Sequence, residues 1–191
     1  MKLVLATRNA HKAREFATLL APHEVVPLPD DVELGPETAE TFLDNAIEKA
    51  RAAARATGLP AIADDSGIES AALGGAPGVR SARFAGERAS DEQNLAKLLR
   101  EAPAGSALQY VCALVLVRPG GDVEHAVVGR CTGTLAARPR GTGGFGYDPA
   151  FLPDDTSDGR TMAELEPAEK DAISHRGRAA RELLALLDAG G

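Results

Sequence analysis

KLVLATRNAHKAREFATLL, residues 2–20, decides the fold class. Lys2 to Ala6 is an apolar run of strand length, and it passes through the polar Thr7, Arg8 and Asn9 into a helical period. Ala13, Phe16, Ala17 and Leu20 recur at i, i+3, i+4 and i+7, which puts them on one face of a helix from Ala10 to Leu20. A buried strand, a polar turn and an amphipathic helix are the opening unit of an α/β protein.

Outward from that unit, Glu24 to Leu28 (EVVPL) reads as a second strand, and the Pro-rich and Asp-rich stretch from Pro27 to Pro36 as a loop. A longer helix starts near Thr38 or Thr41 and carries Phe42, Leu43, Ala46, Ile47, Ala50 and Ala54 to a stop at Gly58, with Pro60 beyond. Ala61 to Ala63 reads as a short strand ending on Asp64-Asp65-Ser66-Gly67, and Gly74 to Gly86 as a glycine-rich loop. Ser90 and Gln93 have the spacing of a capping box before a helix over 91–101. Ala107 to Val117 is the most strand-like run. It turns at Pro119 to Asp122 and returns through Val123 to Gly129, with Thr132 to Ala137 as an extension. After the glycine-rich Gly141 to Pro149, Ser174 caps a last helix whose apolar face is Ala179, Leu183, Leu186 and Leu187. Strands that first alternate with helices and then form a hairpin predict a mixed sheet.

Composition sets bounds on what such a chain does. At 191 residues it is one domain of at most two lobes, and 44% apolar with 26% charged residues is globular. A net charge of −7 argues against a general nucleic-acid or membrane-surface binder, although local basic clusters remain suited to small anions. Cys112 and Cys131 sit in apolar, strand-like surroundings and read as buried free thiols. The first apolar run is too short for a signal-peptide core and no apolar stretch reaches membrane-spanning length, so the expected location is cytoplasmic.

Four segments carry chemistry. Arg8, His11 and Lys12 crowd a helix N-terminus, where cations are unfavourable unless an anion completes the site. There Asn9 would cap, Thr7 and the backbone N–H groups from Ala10 onward would donate, and Lys12 would reach a phosphate. Asp64 and Asp65 close a strand; adjacent carboxylates repel unless a cation lies between them, and hard oxygen donors suit Mg²⁺. Glu37 and Glu40 could add a carboxylate, though acidic residues near a helix start are ordinary dipole partners. Gly141 to Pro149 interleaves glycines with Phe145 and Tyr147, a backbone able to approach a flat heterocycle and a ring able to stack on it. Ser174-His175-Arg176 again puts cations at a helix start, with Lys170 upstream. Each segment also has an ordinary structural explanation. Together they fit one ligand, a magnesium nucleoside polyphosphate.

The motifs LATRNAHKAREF, TFLDNAIEKA, AIADDSGIE, GGAPGVRSARFAG, GTGGFGYDPAF and AISHRGRA, in this order along nearly the whole chain, resemble the inosine/xanthosine triphosphate pyrophosphatase family. The resemblance implies a long central mixed sheet dividing two α/β lobes, a substrate cleft between them, and a homodimer. It implies hydrolysis of deaminated purine nucleoside triphosphates to monophosphate and pyrophosphate. It puts the triphosphate-binding turn on Thr7, Arg8, Asn9, Ala10, His11 and Lys12, Mg²⁺ on Glu37 and Asp65 with help from Asp64, and the general base on Asp65. Nucleotide contacts fall on Lys49, Ser66, Phe145, Gly146, Tyr147, Asp148, Lys170, His175 and Arg176. On this reading Lys12 with Arg176 or Lys170 offsets phosphate charge, and His175, Arg176 or loop N–H groups face the 6-keto oxygen that adenine lacks. A pyrophosphatase acting on pyrimidine or modified nucleotides, and a binding protein that has lost hydrolysis, are the alternatives.

Overall fold

The structure, a computed structural model, describes residues 1–189; residues 190 and 191, expected within the single domain, lie outside the described residues. Strands β1 (Lys2–Leu5), β2 (Glu24–Pro27), β3 (Ala61–Ser70), β4 (Ala107–Val117), β5 (Val123–Leu135) and β6 (Phe151–Pro153) form one sheet in the order β2-β1-β3-β4-β5-β6. β1 runs parallel to β2 and to β3, and β5 antiparallel to β6, so the sheet is mixed as the alternation predicts. The helices are α1 (Ala10–Leu19), α2 (Phe42–Thr57), α3 (Asp91–Glu101), α4 (Pro167–Ile173) and α5 (His175–Ala189).

The first three helices end where their caps say. Asn9 accepts from the N–H groups of His11 and Lys12, Thr41 from that of Asp44, and Gly58 closes α2 with φ +65°. Ser90 and Gln93 form a reciprocal capping box on α3. Of the apolar face expected on α5, Ala179 and Leu183 are buried, Leu187 packs against them, and Leu186 is exposed.

Four expectations need correction. β3 does not stop at Ala63 but continues through Asp64 and Asp65 to Ser70, although Asp disfavours strands, because packing and nearby cations override local preference. The glycine-rich 74–86 stretch holds a 3₁₀ turn from Gly78 to Arg83. Val123 to Leu135 is one uninterrupted strand, and β6 pairs with its end at the register Gly133↔Pro153. There a Cβ on Gly133 would run into the Leu152 carbonyl. α4 precedes the last helix, with Pro167 at its start and a capping box between Glu166 and Glu169. Ser174 therefore stands between two helices.

Two compact units are distinguished: Met1–Asp65, Cys112–Gly129 and Arg176 onward in the first; Ser66–Val111 and Arg130–His175 in the second. Each has its own core. In the first, Leu3, Leu5, Phe16, Ile62, Leu114, Leu116 and Leu183 pack together. In the second, Ile68, Leu98, Tyr110, Leu135, Phe151 and Met162 do. Cys112 and Cys131 are buried free thiols, as expected. Among the described residues no helix is long and apolar enough to cross a membrane.

Candidate active site

In the first unit, β1 ends against the N-terminus of α1. Asn9 closes that end with hydrogen bonds of 2.9 and 3.2 Å from the N–H groups of His11 and Lys12, and Thr7 Oγ1 accepts from the Asn9 N–H. Ala10 opens the helix on the surface, and the His11 ring meets Arg14 at 2.8 Å. Arg8 turns away from the helix start. Its guanidinium donates to the carbonyls of Leu28, Pro29, Asp30 and Val32, and so clasps the loop that leads to Glu37.

Lys12 points the other way, to Asp64. Its Nζ lies 2.8 Å from Asp64 Oδ2, and Arg176 Nε from α5 lies 3.5 Å from the same oxygen. Arg176 also meets Glu15 of α1 at 3.2 Å. One residue along β3, Asp65 accepts a 2.9 Å hydrogen bond from Asn45 Nδ2, while Lys49 Nζ lies 3.7 Å from its other oxygen and 2.5 Å from Glu37 Oε1. Asn45 and Lys49 are one helical turn apart on α2 and share its buried face. Glu37 lies in the loop before α2 and not in its first turn, and Glu40 is exposed.

These contacts fix the electrostatics. Burial alone would raise the Asp64 pKa, but Lys12, Arg176 and Lys49 hold its carboxyl well below the usual range. Asp65 goes the other way: burial and the neighbouring Glu37 raise it against the pull of Lys49. Burial would lower Lys49, and the carboxylates of Asp64, Asp65 and Glu37 raise it. A cation of the chain itself, Lys49, thus lies between the carboxylates of Glu37 and Asp65. The same residues also fit a hard divalent metal, because Asp64 Oδ1 is buried with no hydrogen-bond partner among the described residues and Glu37 and Asp65 supply further oxygen donors. As they stand, no three of His, Cys, Asp and Glu among the described residues are grouped ready to hold one.

The second unit holds the aromatic cluster. Asp148, 3% exposed, accepts from Tyr110 Oη at 3.0 Å, Lys170 Nζ at 2.9 Å and the Phe145 N–H at 3.0 Å. Lys170 also sits 5.1 Å from the Phe145 ring centroid, and the Tyr147 hydroxyl donates to Ser81 O. The Gly146 N–H is held by Asp91 of α3 at 2.9 Å. The His175 ring stacks on Tyr110 with centroids 4.6 Å apart and planes 5° from parallel. Ser66, half-buried, is the first residue of this unit along β3.

Residues 3–186 match the profile of the Ham1 family. This chain belongs to the Ham1 family. It is 50% identical over 200 residues to a protein of Frankia alni named dITP/XTP pyrophosphatase, covering 98% of this chain and 97% of that one. It is 49% identical over 197 residues to a Shigella flexneri protein of the same name, with 99% of each covered. Among solved structures, a HAM1 protein from Coxiella burnetii superposes with a TM-score of 0.86 at 40% identity over 99% of both chains. The Ham1 protein of Staphylococcus aureus gives 0.86 at 36% over the whole of both.

Set on the Ham1 motifs, the contacts sort the expected residues. Lys12 and Arg176, far apart in sequence, meet at Asp64, and Lys49 lies beside Asp65; Phe145 and Lys170 meet at Asp148, which with His175 contacts Tyr110, and Tyr147 is tied to Ser81. Lys170 is engaged by Asp148, and the Phe145 and Gly146 N–H groups, expected to face a keto oxygen, already serve carboxylates. Asn45, Glu15, Asp91 and Tyr110 were not foreseen. Asn45 had a readable signal, a polar residue on the apolar face of a helix; the other three depend on contacts that only the fold makes.

Proposed function

We propose that this chain hydrolyses deaminated purine nucleoside triphosphates, ITP, dITP and XTP, to the monophosphate and pyrophosphate, clearing them before incorporation into nucleic acid. One observation carries the reading: on a chain about half identical end to end to proteins named dITP/XTP pyrophosphatase, two cations from separate helices meet at a single buried aspartate.

The first unit handles the phosphates. Lys12 and Arg176, already desolvated and oriented by Asp64, offset the charge on the chain and on the pyrophosphate leaving group, and the α1 N-terminus adds backbone N–H groups. Asp65 takes the proton from the attacking water. Asp64 is too firmly paired with cations for that role, whereas Asn45 fixes one Asp65 oxygen and leaves the carboxylate directed. Glu37, Asp65 and Asp64 would hold Mg²⁺, which when bound supplies charge neutralisation on the phosphates. Arg8 serves by holding the loop that carries Glu37.

The second unit handles the base. Phe145 offers a stacking face, and His175 is the donor for the 6-keto oxygen. An adenine amino group opposite that donor would be left unpaired in a dry pocket, a mismatch worth about 10⁴ in selectivity. In the same reading the enzyme is one catalytic domain, cytoplasmic and homodimeric, with sedimentation of the purified protein as the check on assembly. The deciding assay is pyrophosphate release from dITP, XTP, dATP, dGTP, dTTP and UTP, with Mg²⁺ and with EDTA. Release from dITP and XTP with Mg²⁺ is expected. Equal rates on dATP would refute the base pocket, and preference for dTTP or UTP would favour a pyrimidine enzyme.

A further inference from the structure

Tyr110 has no place in the motifs, yet it is the residue on which the second unit's cluster converges. It sits on β4, 6% exposed, its ring tilted 48° to that of Phe151 at a centroid distance of 4.7 Å. Its hydroxyl donates to Asp148 Oδ1, while Lys170 and the Phe145 N–H occupy Oδ2. Its face carries the His175 ring, stacked almost parallel. A single side chain thus orients both the carboxylate that folds the Phe145 loop and the imidazole assigned to the keto oxygen.

We infer that Tyr110 is the positioning residue of the base subsite, setting purine selectivity through the joint orientation of Asp148 and His175 without touching the phosphates. The inference rests on the pyrophosphatase reading above. Its physical basis is rigidity. A strand in the core moves less than the glycine-rich loop it supports, and a hydrogen bond to a buried carboxylate fixes direction as well as distance. Removing the hydroxyl frees Asp148 Oδ1 and loosens the loop; removing the ring also frees His175 to turn.

The test uses the full chain and two variants, Tyr110→Phe and Tyr110→Leu, with dITP and dATP as substrates and inorganic triphosphate as an inhibitor that has no base. Tyr110→Phe should raise KM for dITP about tenfold with kcat within about twofold, the scale of one lost hydrogen bond to a charged group. Tyr110→Leu should lose, in addition, most of the preference for dITP over dATP. Inhibition by inorganic triphosphate should be unchanged in both. If Tyr110→Leu does not fold, Tyr110→Phe, which keeps the ring and its packing, still decides. An unchanged KM for dITP in Tyr110→Phe, or a loss of triphosphate inhibition in parallel with it, overturns the inference. A wild-type protein that releases no pyrophosphate from dITP overturns the functional reading itself and the base subsite with it.

Discussion

Asp64 is 1% exposed, and a lone carboxylate that deep would be costly; Lys12 and Arg176 make it tolerable. Lys12→Met should therefore cost about 3 kcal/mol of stability, the low end for breaking a buried ion pair because Arg176 remains, and urea unfolding measures it. A loss below about 0.5 kcal/mol would mean that the pair behaves like a surface contact. Asp65 is bound differently, with Asn45 on one oxygen and Lys49 further off, so Asp65→Asn is nearly isosteric and should leave the circular dichroism unchanged. Turnover of dITP should fall by at least about 10²-fold, the contribution of a positioned general base. Near-normal turnover would move the base elsewhere. Both residues were singled out from sequence, but their division of labour was not: which of the two adjacent carboxylates Lys12 and Arg176 pair with is settled by segments distant in the chain.

Helix limits were legible because capping is local. Asn9, Thr41, Gly58 and Ser90 are within four residues of the groups they satisfy, so a short window contains the whole interaction. The extension of β3 through two aspartates was not legible, since it depends on Lys12 and Arg176, 52 residues before and 112 after Asp64. α4 escaped for a different reason: seven residues are too few to show a helical period, and its signal is confined to Pro167 and the Glu166–Glu169 box. That box yields a pH test. Glu169 receives two 2.8 Å hydrogen bonds from Arg160 and one of 2.9 Å from the Glu166 N–H, which push its pKa down to about 2. A depressed carboxylate pKa stabilises the fold fully above the unfolded value near 4.3, and the contribution is lost as pH falls toward the folded value. The start of α4 should thus stay intact at pH 4 and loosen between about pH 4 and 2. NMR titration of the Glu169 side chain should give a midpoint well below 4, and a midpoint near 4.3 would show that Arg160 does not hold it in solution.

At the scale of the molecule, the mixed sheet followed from the order of strand and helix signals, and the meeting of Lys12 and Arg176 with Asp64 from their opposite charges. The charge balance was not foreseen. Glu15, Glu37, Asp64 and Asp65 face Lys12, Lys49 and Arg176, a net of −1 from four carboxylates and three cations, so this cluster is almost neutral by itself. Neither a bare divalent cation nor a bare triphosphate then finds a large uncompensated charge. A cation bound to the carboxylates would release Lys49 from Glu37 and make the surroundings more positive, which favours the polyphosphate; the polyphosphate in turn favours the cation. By linkage each should raise the affinity for the other. A non-hydrolysable dITP analogue with Mg²⁺ at about 100 times Kd should stabilise the protein by about 2.7 kcal/mol, or about 5–10 °C in Tm for a chain of this size. Mg²⁺ alone and analogue alone, each at the same concentration, should give shifts whose sum falls short of that. In Lys49→Met the carboxylates lose their internal cation, so Mg²⁺ alone should bind more tightly by calorimetry than to the wild type. Strictly additive Tm shifts in the wild type, with unchanged Mg²⁺ affinity in the variant, would mean that Lys49 does not compete with the metal.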